Sequence, residues 1–133
     1  DLLAAYTLNN ANRPPIVLAG NLTGKNAAAG GAAFPRAEFF AGGAGARPMV
    51  EAFDVAAAKG GPPVAVVGVV GPTVAQKALN HDKQFAFENN AEVLKDALAK
   101  IAAHPAKPQL KVLLYAGTLD EAKAAAAAFD QFQ

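Results

Sequence analysis

The sequence predicts an α/β domain built on a mixed sheet, and three observations lead there. Continuous apolar runs bounded by breakers, at residues 16–19 (IVLA), 64–70 (VAVVGVV) and 110–115 (LKVLLY), read as buried strands. Val93, Leu94, Ala97, Leu98 and Ile101 keep the three-to-four spacing of one helical face. The two kinds of segment alternate along the chain, and a strand–turn–strand stretch at 49–70 makes part of the sheet antiparallel.

From the N-terminal side, Leu2-Leu3-Ala4-Ala5-Tyr6 reads as the tail of a helix ending near Asn9-Asn10. Pro14 and Pro15 break it, because Arg13 before a proline is pushed out of helical geometry. The strand at 16–19 closes on Gly20-Asn21. Residues 23–47, rich in glycine and alanine, read as a long loop anchored by Phe34, Phe39 and Phe40. Met49, Glu51, Phe53 and Val55 then alternate with Val50, Ala52 and Asp54 as one strand of period two. Lys59-Gly60-Gly61-Pro62-Pro63 turns the chain into the 64–70 strand, giving an antiparallel hairpin.

After Gly71-Pro72, Thr73 is placed to cap a short helix reaching Leu79. Residues 80–87 read as a polar loop holding two phenylalanines. Asn89 or Asn90 caps the amphipathic helix, which stops at His104-Pro105. After the strand at 110–115 and Gly117, Thr118 and Glu121 form a capping box for a last helix reaching Phe129.

Composition limits the function. With 133 residues there is room for one domain. Alanine supplies 34 of them and inflates the hydrophobic fraction of 53% while burying little area per residue. Twelve basic and 11 acidic residues are scattered and net to +1, so no basic stripe marks a nucleic-acid surface. The longest apolar run is far short of the roughly 20 residues needed to span a bilayer, so no membrane insertion is expected. The absence of cysteine excludes disulfides and thiolate metal sites, and the absence of serine excludes a serine nucleophile.

The candidate chemistry is thin. Gly20-Asn21-Leu22-Thr23-Gly24-Lys25 follows a strand, where α/β folds place ligand loops, and Asn21, Thr23 and Lys25 are its candidate ligand-binding residues. It matches neither glycine-rich phosphate motif, so the competing reading is a plain strand-end turn. The glycine-rich run 41–46 offers backbone amides but no following helix, and reads as a flexible loop. His81 and Asp82 are the candidate catalytic pair, weighed against a solvated loop histidine, since adjacent residues on extended chain point apart. His104 closes a helix, where the helix dipole favours a cation. No HExxH or other metal-ligand spacing occurs.

Three phrases occur in the order found in one family. "PPIVLAGNL" (14–22) resembles a strand ending in Ala-Asn-Leu, and "ARPMVEAFDVAAAKGGPPVAVVGVVGPT" (46–73) resembles a hairpin returning into the sheet. "LKVLLYAGTLDEAKAAAAAFDQF" (110–132) resembles a strand and helix of the pattern vLLsH-g-eEAk. From Arg13 to Phe132 the chain thus resembles the central segment of a 5′-nucleotidase-like, calcineurin-type metallophosphoesterase domain, through structural phrases. The resemblance implies a layered mixed β-sheet flanked by helices, incomplete here, with the long loop at 23–47 inside a single partial domain spanning 1–133.

Such enzymes hold two divalent metal ions and hydrolyse phosphate esters, commonly of nucleotides and often in the periplasm or outside the cell. Most of the expected ligands, in Asp-x-His, Gly-Asp, Gly-Asn-His and Gly-His-x-His motifs, would fall before Asp1 or after Gln133. The expected histidine after the last strand aligns with Ala116, which cannot ligate a metal. The resemblance therefore implies a degenerate site: no metal and no cofactor from this chain, and a structural or accessory role beside other protein chains or the missing parts of the same domain. Two alternatives stand beside it. One is an active phosphohydrolase whose two metals are held by segments outside this chain, and the other is a nucleotide- or phosphate-binding module. An open sheet edge further implies instability without a covering partner.

Overall fold

A computed structural model describes residues 16–24, 50–57, 59–81, 83 and 85–132, with Thr23 and Gly24 described in backbone only. The expected first helix, the breaker at 12–15, Lys25, the glycine-rich run at 41–46 and Asp82 lie outside the described residues.

The described elements, in chain order, are strands β1 (Val17–Leu18), β2 (Leu22–Gly24), β3 (Val50–Glu51), β4 (Phe53–Ala57) and β5 (Pro63–Val70). Helix α1 (Pro72–His81), strand β6 (Phe85–Phe87), helix α2 (Asn90–Ala102), strand β7 (Leu110–Ala116) and helix α3 (Leu119–Ala128) follow. The domain is mixed α/β. Strand β5 is central, antiparallel to β4 (Phe53 opposite Val67) and parallel to β7 (Val67 opposite Leu113). The hairpin turns through Gly60 at φ +78°, a left-handed conformation that glycine adopts without steric cost.

Registry and alternation put Phe53, Val55, Ala65, Val67, Val69, Leu113 and Tyr115 on one face of this sheet. Helix α2 covers it with Val93, Leu94, Ala97 and Ile101, and Phe129 and Phe132 complete the packing from the far end of α3. Leu94, Ile101, Val67 and Val69 are fully buried, each contributing roughly 1.5–3 kcal/mol of transfer free energy. The helix begins where Asn89, in extended geometry, accepts the Ala91 N–H at 2.8 Å.

Four local expectations are corrected. The expected single strand over 49–55 is two, broken at Ala52, whose carbonyl accepts the Gly68 N–H at 3.1 Å. Gly20 lies against this break: a Cβ there would stand 2.8 Å from both Ala52 Cα and Cβ. Thr23 and Gly24 belong to strand β2, which pairs antiparallel with β6 (Leu22 opposite Phe87), so the expected loop over 80–87 contains a strand. Thr73 lies inside α1, whose first carbonyl comes from Gly71 (Ala75 N–H to Gly71 O, 2.9 Å). The helix also runs to His81, past the expected end at Leu79.

Strand β1 runs parallel to β3 and reaches the central sheet at Gly68, whose carbonyl accepts the Gly20 N–H at 2.8 Å. Leu18 lies directly on Gly68, so that a side chain there would collide with the Leu18 Cβ and stand 2.6 Å from its carbonyl oxygen. This close approach delivers the Gly20-Asn21 turn to the carboxyl end of β5.

Candidate functional site

Parallel strands β5 and β7 end side by side at Val70 and Ala116, and the Gly71 N–H donates to the Ala116 carbonyl at 2.7 Å. Open α/β sheets bind ligands outside the carboxyl ends of their strands. Here that edge forms a cleft of about 520 Å³ between α1, α2 and α3, lined among others by Asn21, Val70, Phe87, Asn90, Tyr115 and Glu121.

Asn21 is the only polar side chain buried to 1% exposure among the described residues. The turn that carries it closes with a Leu22 N–H to Ala19 carbonyl bond of 3.0 Å. Its amide pairs with the Val70 backbone as a neighbouring strand would: Nδ2 donates to the Val70 carbonyl at 2.8 Å, and Oδ1 accepts the Val70 N–H at 2.8 Å. Nδ2 also donates to Asn90 Oδ1 at 2.6 Å. Asn90 Nδ2 in turn donates to the Tyr115 hydroxyl at 3.4 Å. Every hydrogen-bonding group of the Asn21 side chain is spent, as burial in an apolar setting demands.

Glu121 holds the other wall. The expected capping box forms, with Glu121 Oε2 accepting the Thr118 N–H at 2.8 Å and Thr118 Oγ1 accepting the Glu121 N–H at 3.3 Å. Its second oxygen, Oε1, crosses to α1 and accepts both the N–H of Thr73 (3.0 Å) and the Thr73 hydroxyl (2.8 Å). One carboxylate thus serves the first turns of two helices, where negative charge is favoured. These bonds, that from the Thr118 N–H foremost and then that from the Thr73 hydroxyl, hold its carboxyl below the usual carboxylate range. Glycines make room for the arrangement: a Cβ on Gly71 would fall 2.7 Å from Tyr115 Cε1 and 2.8 Å from Glu121 Oε2.

Of the candidate ligand-binding and catalytic residues that the structure describes, the cleft brings in Asn21, together with Asn89, Asn90 and Glu121, which the sequence offered as helix caps. Thr23 sits two residues along β2, opposite Ala86 and roughly 7 Å farther from the edge. His81 is exposed in the last turn of α1, about 14 Å along the helix from the Pro72 end that borders the cleft. His104 lies just past the end of α2, where its Nδ1 accepts the Ala106 N–H at 3.2 Å and closes the turn that follows the helix.

Ala116 ends β7, exposed, with its carbonyl taken by Gly71. A dinuclear metal centre does not fit the described residues at this edge. Ala116 offers no side-chain donor, the Asn21 oxygen is held by Val70, and both Glu121 oxygens are held by Thr73 and Thr118. Tyr115, Asn90 and the second function of Glu121 were missed in the sequence reading. The one available signal was the Asn89-Asn90 pair, of which a single asparagine is enough to cap α2.

The fold and cleft define a mixed α/β domain with a hydrogen-bonded strand-end pocket. No protein-family model matches the chain, and neither a characterised protein nor a solved structure is significantly similar to it. None of the three helices among the described residues is long and apolar enough to cross a membrane.

Proposed function

We propose that the chain is a metallophosphoesterase-like domain that serves as a structural or accessory subunit and not as a hydrolase. One observation carries this reading: the buried amide and the carboxylate at the carboxyl edge, those of Asn21 and Glu121, are spent on holding elements together. Asn21 joins β5 to α2, and Glu121 joins α1 to α3. A catalytic edge keeps its carboxylates and amides aimed at metal or substrate; this one uses those of Glu121 and Asn21 as struts. Ala116, at the position where the resemblance implies a histidine, agrees with that use. Leu114 and Leu119, 53% and 68% exposed, give an accessory subunit apolar surface for a partner chain.

The test is direct. The full chain is incubated with p-nitrophenyl phosphate, its diester and nucleoside monophosphates in the presence of Mg²⁺, Mn²⁺ or Zn²⁺. Product release should not exceed that of a protein-free control, and calorimetric titration with Mn²⁺ should give no saturable heat. Metal-dependent turnover that a chelator abolishes would overturn the proposal in favour of an active phosphohydrolase.

A further inference from the structure

We propose that the cleft beside Asn90 and Tyr115 binds a small, uncharged, largely apolar molecule bearing a hydrogen-bond acceptor, such as a ketone or amide carbonyl. The inference stands on the cleft alone and does not depend on the phosphoesterase reading. Its volume of about 520 Å³ is that of a pocket for a small organic ligand. Val70, Phe87, Leu94, Ala125 and Phe129 supply apolar walls, and such pockets gain most of their binding energy from buried apolar area.

The polar groups decide what the ligand carries. The Tyr115 hydroxyl accepts from Asn90 Nδ2, and among the described residues no acceptor takes its own proton. Asn90 Nδ2 likewise has a second hydrogen that no acceptor among the described residues takes. Asn90 Oδ1 and both Glu121 oxygens already have donors. Between Asn90 and Tyr115, therefore, the described residues present two donors whose second hydrogen bond is open, which calls for an acceptor at that point of the ligand.

Phosphate is disfavoured by the same bookkeeping. Two amides at the surrounding helix starts are already taken, Thr73 N–H by Glu121 and Ala91 N–H by Asn89. Pro72 has none to give. The Glu121 carboxylate on the cleft wall would repel an incoming anion.

Acetophenone, ethylbenzene and inorganic phosphate serve as probes in titrations of the ¹⁵N-labelled full chain, followed by amide and asparagine side-chain NMR shifts. Acetophenone should give saturable shifts at Leu94, Ala125 and the Asn90 side chain. Ethylbenzene, the same shape without the carbonyl, should bind about 2- to 10-fold more weakly. Tyr115→Phe should weaken acetophenone by part of that factor and leave ethylbenzene unchanged. The wild-type comparison of the two aromatics stands even if the variant fails to fold. Saturation by phosphate at these residues, equal affinity for the two aromatics, or no saturable shift there would each overturn the proposal.

Discussion

The side-chain amide of Asn21 takes both backbone hydrogen bonds of Val70, replacing a strand partner at the carboxyl end of the central β5 strand. The two residues are 49 positions apart, and the pair decides where the cleft lies. Because Asn21 also bonds Asn90, it fixes the end of β5 relative to the start of α2, whose Leu94 forms part of the cleft wall.

Replacing Asn21 with alanine leaves the Val70 N–H and carbonyl and the Asn90 oxygen without their partner. At about 1–3 kcal/mol for each buried polar group left unpaired, Asn21→Ala should cost at least about 2 kcal/mol in urea unfolding. Asn89→Ala removes an exposed cap and should cost about 1 kcal/mol. If Asn89→Ala proves the more damaging, the strut role assigned to Asn21 is wrong.

Glu121 gives stability a defined pH dependence. Its carboxyl is held below the ordinary range by hydrogen bonds to the ionised form, so the folded state favours the charged group more than the unfolded chain does. The contribution is present above the unfolded pKa, near 4.3 for glutamate, and is lost as pH falls through the folded value. Glu121→Gln should lower the melting temperature at pH 7, and its difference from the parent should shrink as pH is brought below about 4. A difference that stays constant over that range would show that the charge on Glu121 is not what joins α1 to α3.

How much of this was legible follows from how local each signal is. Strand β5, helix α2 and the Thr118–Glu121 capping box were readable because an apolar run, a helical spacing and a three-residue motif each lie within one segment. Strand β6 was not, since three residues flanked by polar ones make no strand pattern until β2 pairs with them. Thr73 looks like a local cap, and it is the carboxylate 48 residues away that changes its role. The Asn21–Val70 and Asn21–Asn90 contacts are likewise long-range, and no spacing rule encodes them. The cleft was therefore largely invisible in sequence, although most of the elements that build it were not.

The core places its weight on α2. Leu94 is fully buried against the central strand, so Leu94→Ala should cost about 2–5 kcal/mol. Leu119 is equally apolar but 68% exposed at the start of α3, and Leu119→Ala should stay within about 0.5 kcal/mol. Denaturation of the two variants side by side checks the assignment. Comparable losses would mean that Leu119 is covered in solution by surface that the described residues do not provide.

Two glycines should fail for different reasons, and their rescue patterns tell the reasons apart. Gly60 has φ +78° with nothing within 4 Å of a would-be Cβ, so the obstacle to a side chain there is the backbone conformation alone. Gly60→Ala should cost about 1–2 kcal/mol, and Gly60→Asn less, because asparagine tolerates the left-handed region. Gly68 has no such conformation, but Leu18 occupies the space above it. Gly68→Ala must move the β1 backbone and should cost about 3 kcal/mol, the upper end of overpacking penalties, with Gly68→Asn worse still. Shortening Leu18 in Gly68→Ala/Leu18→Ala should recover little, since alanine keeps the obstructing Cβ and the Leu18 carbonyl oxygen still stands 2.6 Å from the added atom. Full recovery in that double variant would show that β1 can shift at low cost, and that the close approach of β1 to β5 does not hold the Gly20-Asn21 turn in place.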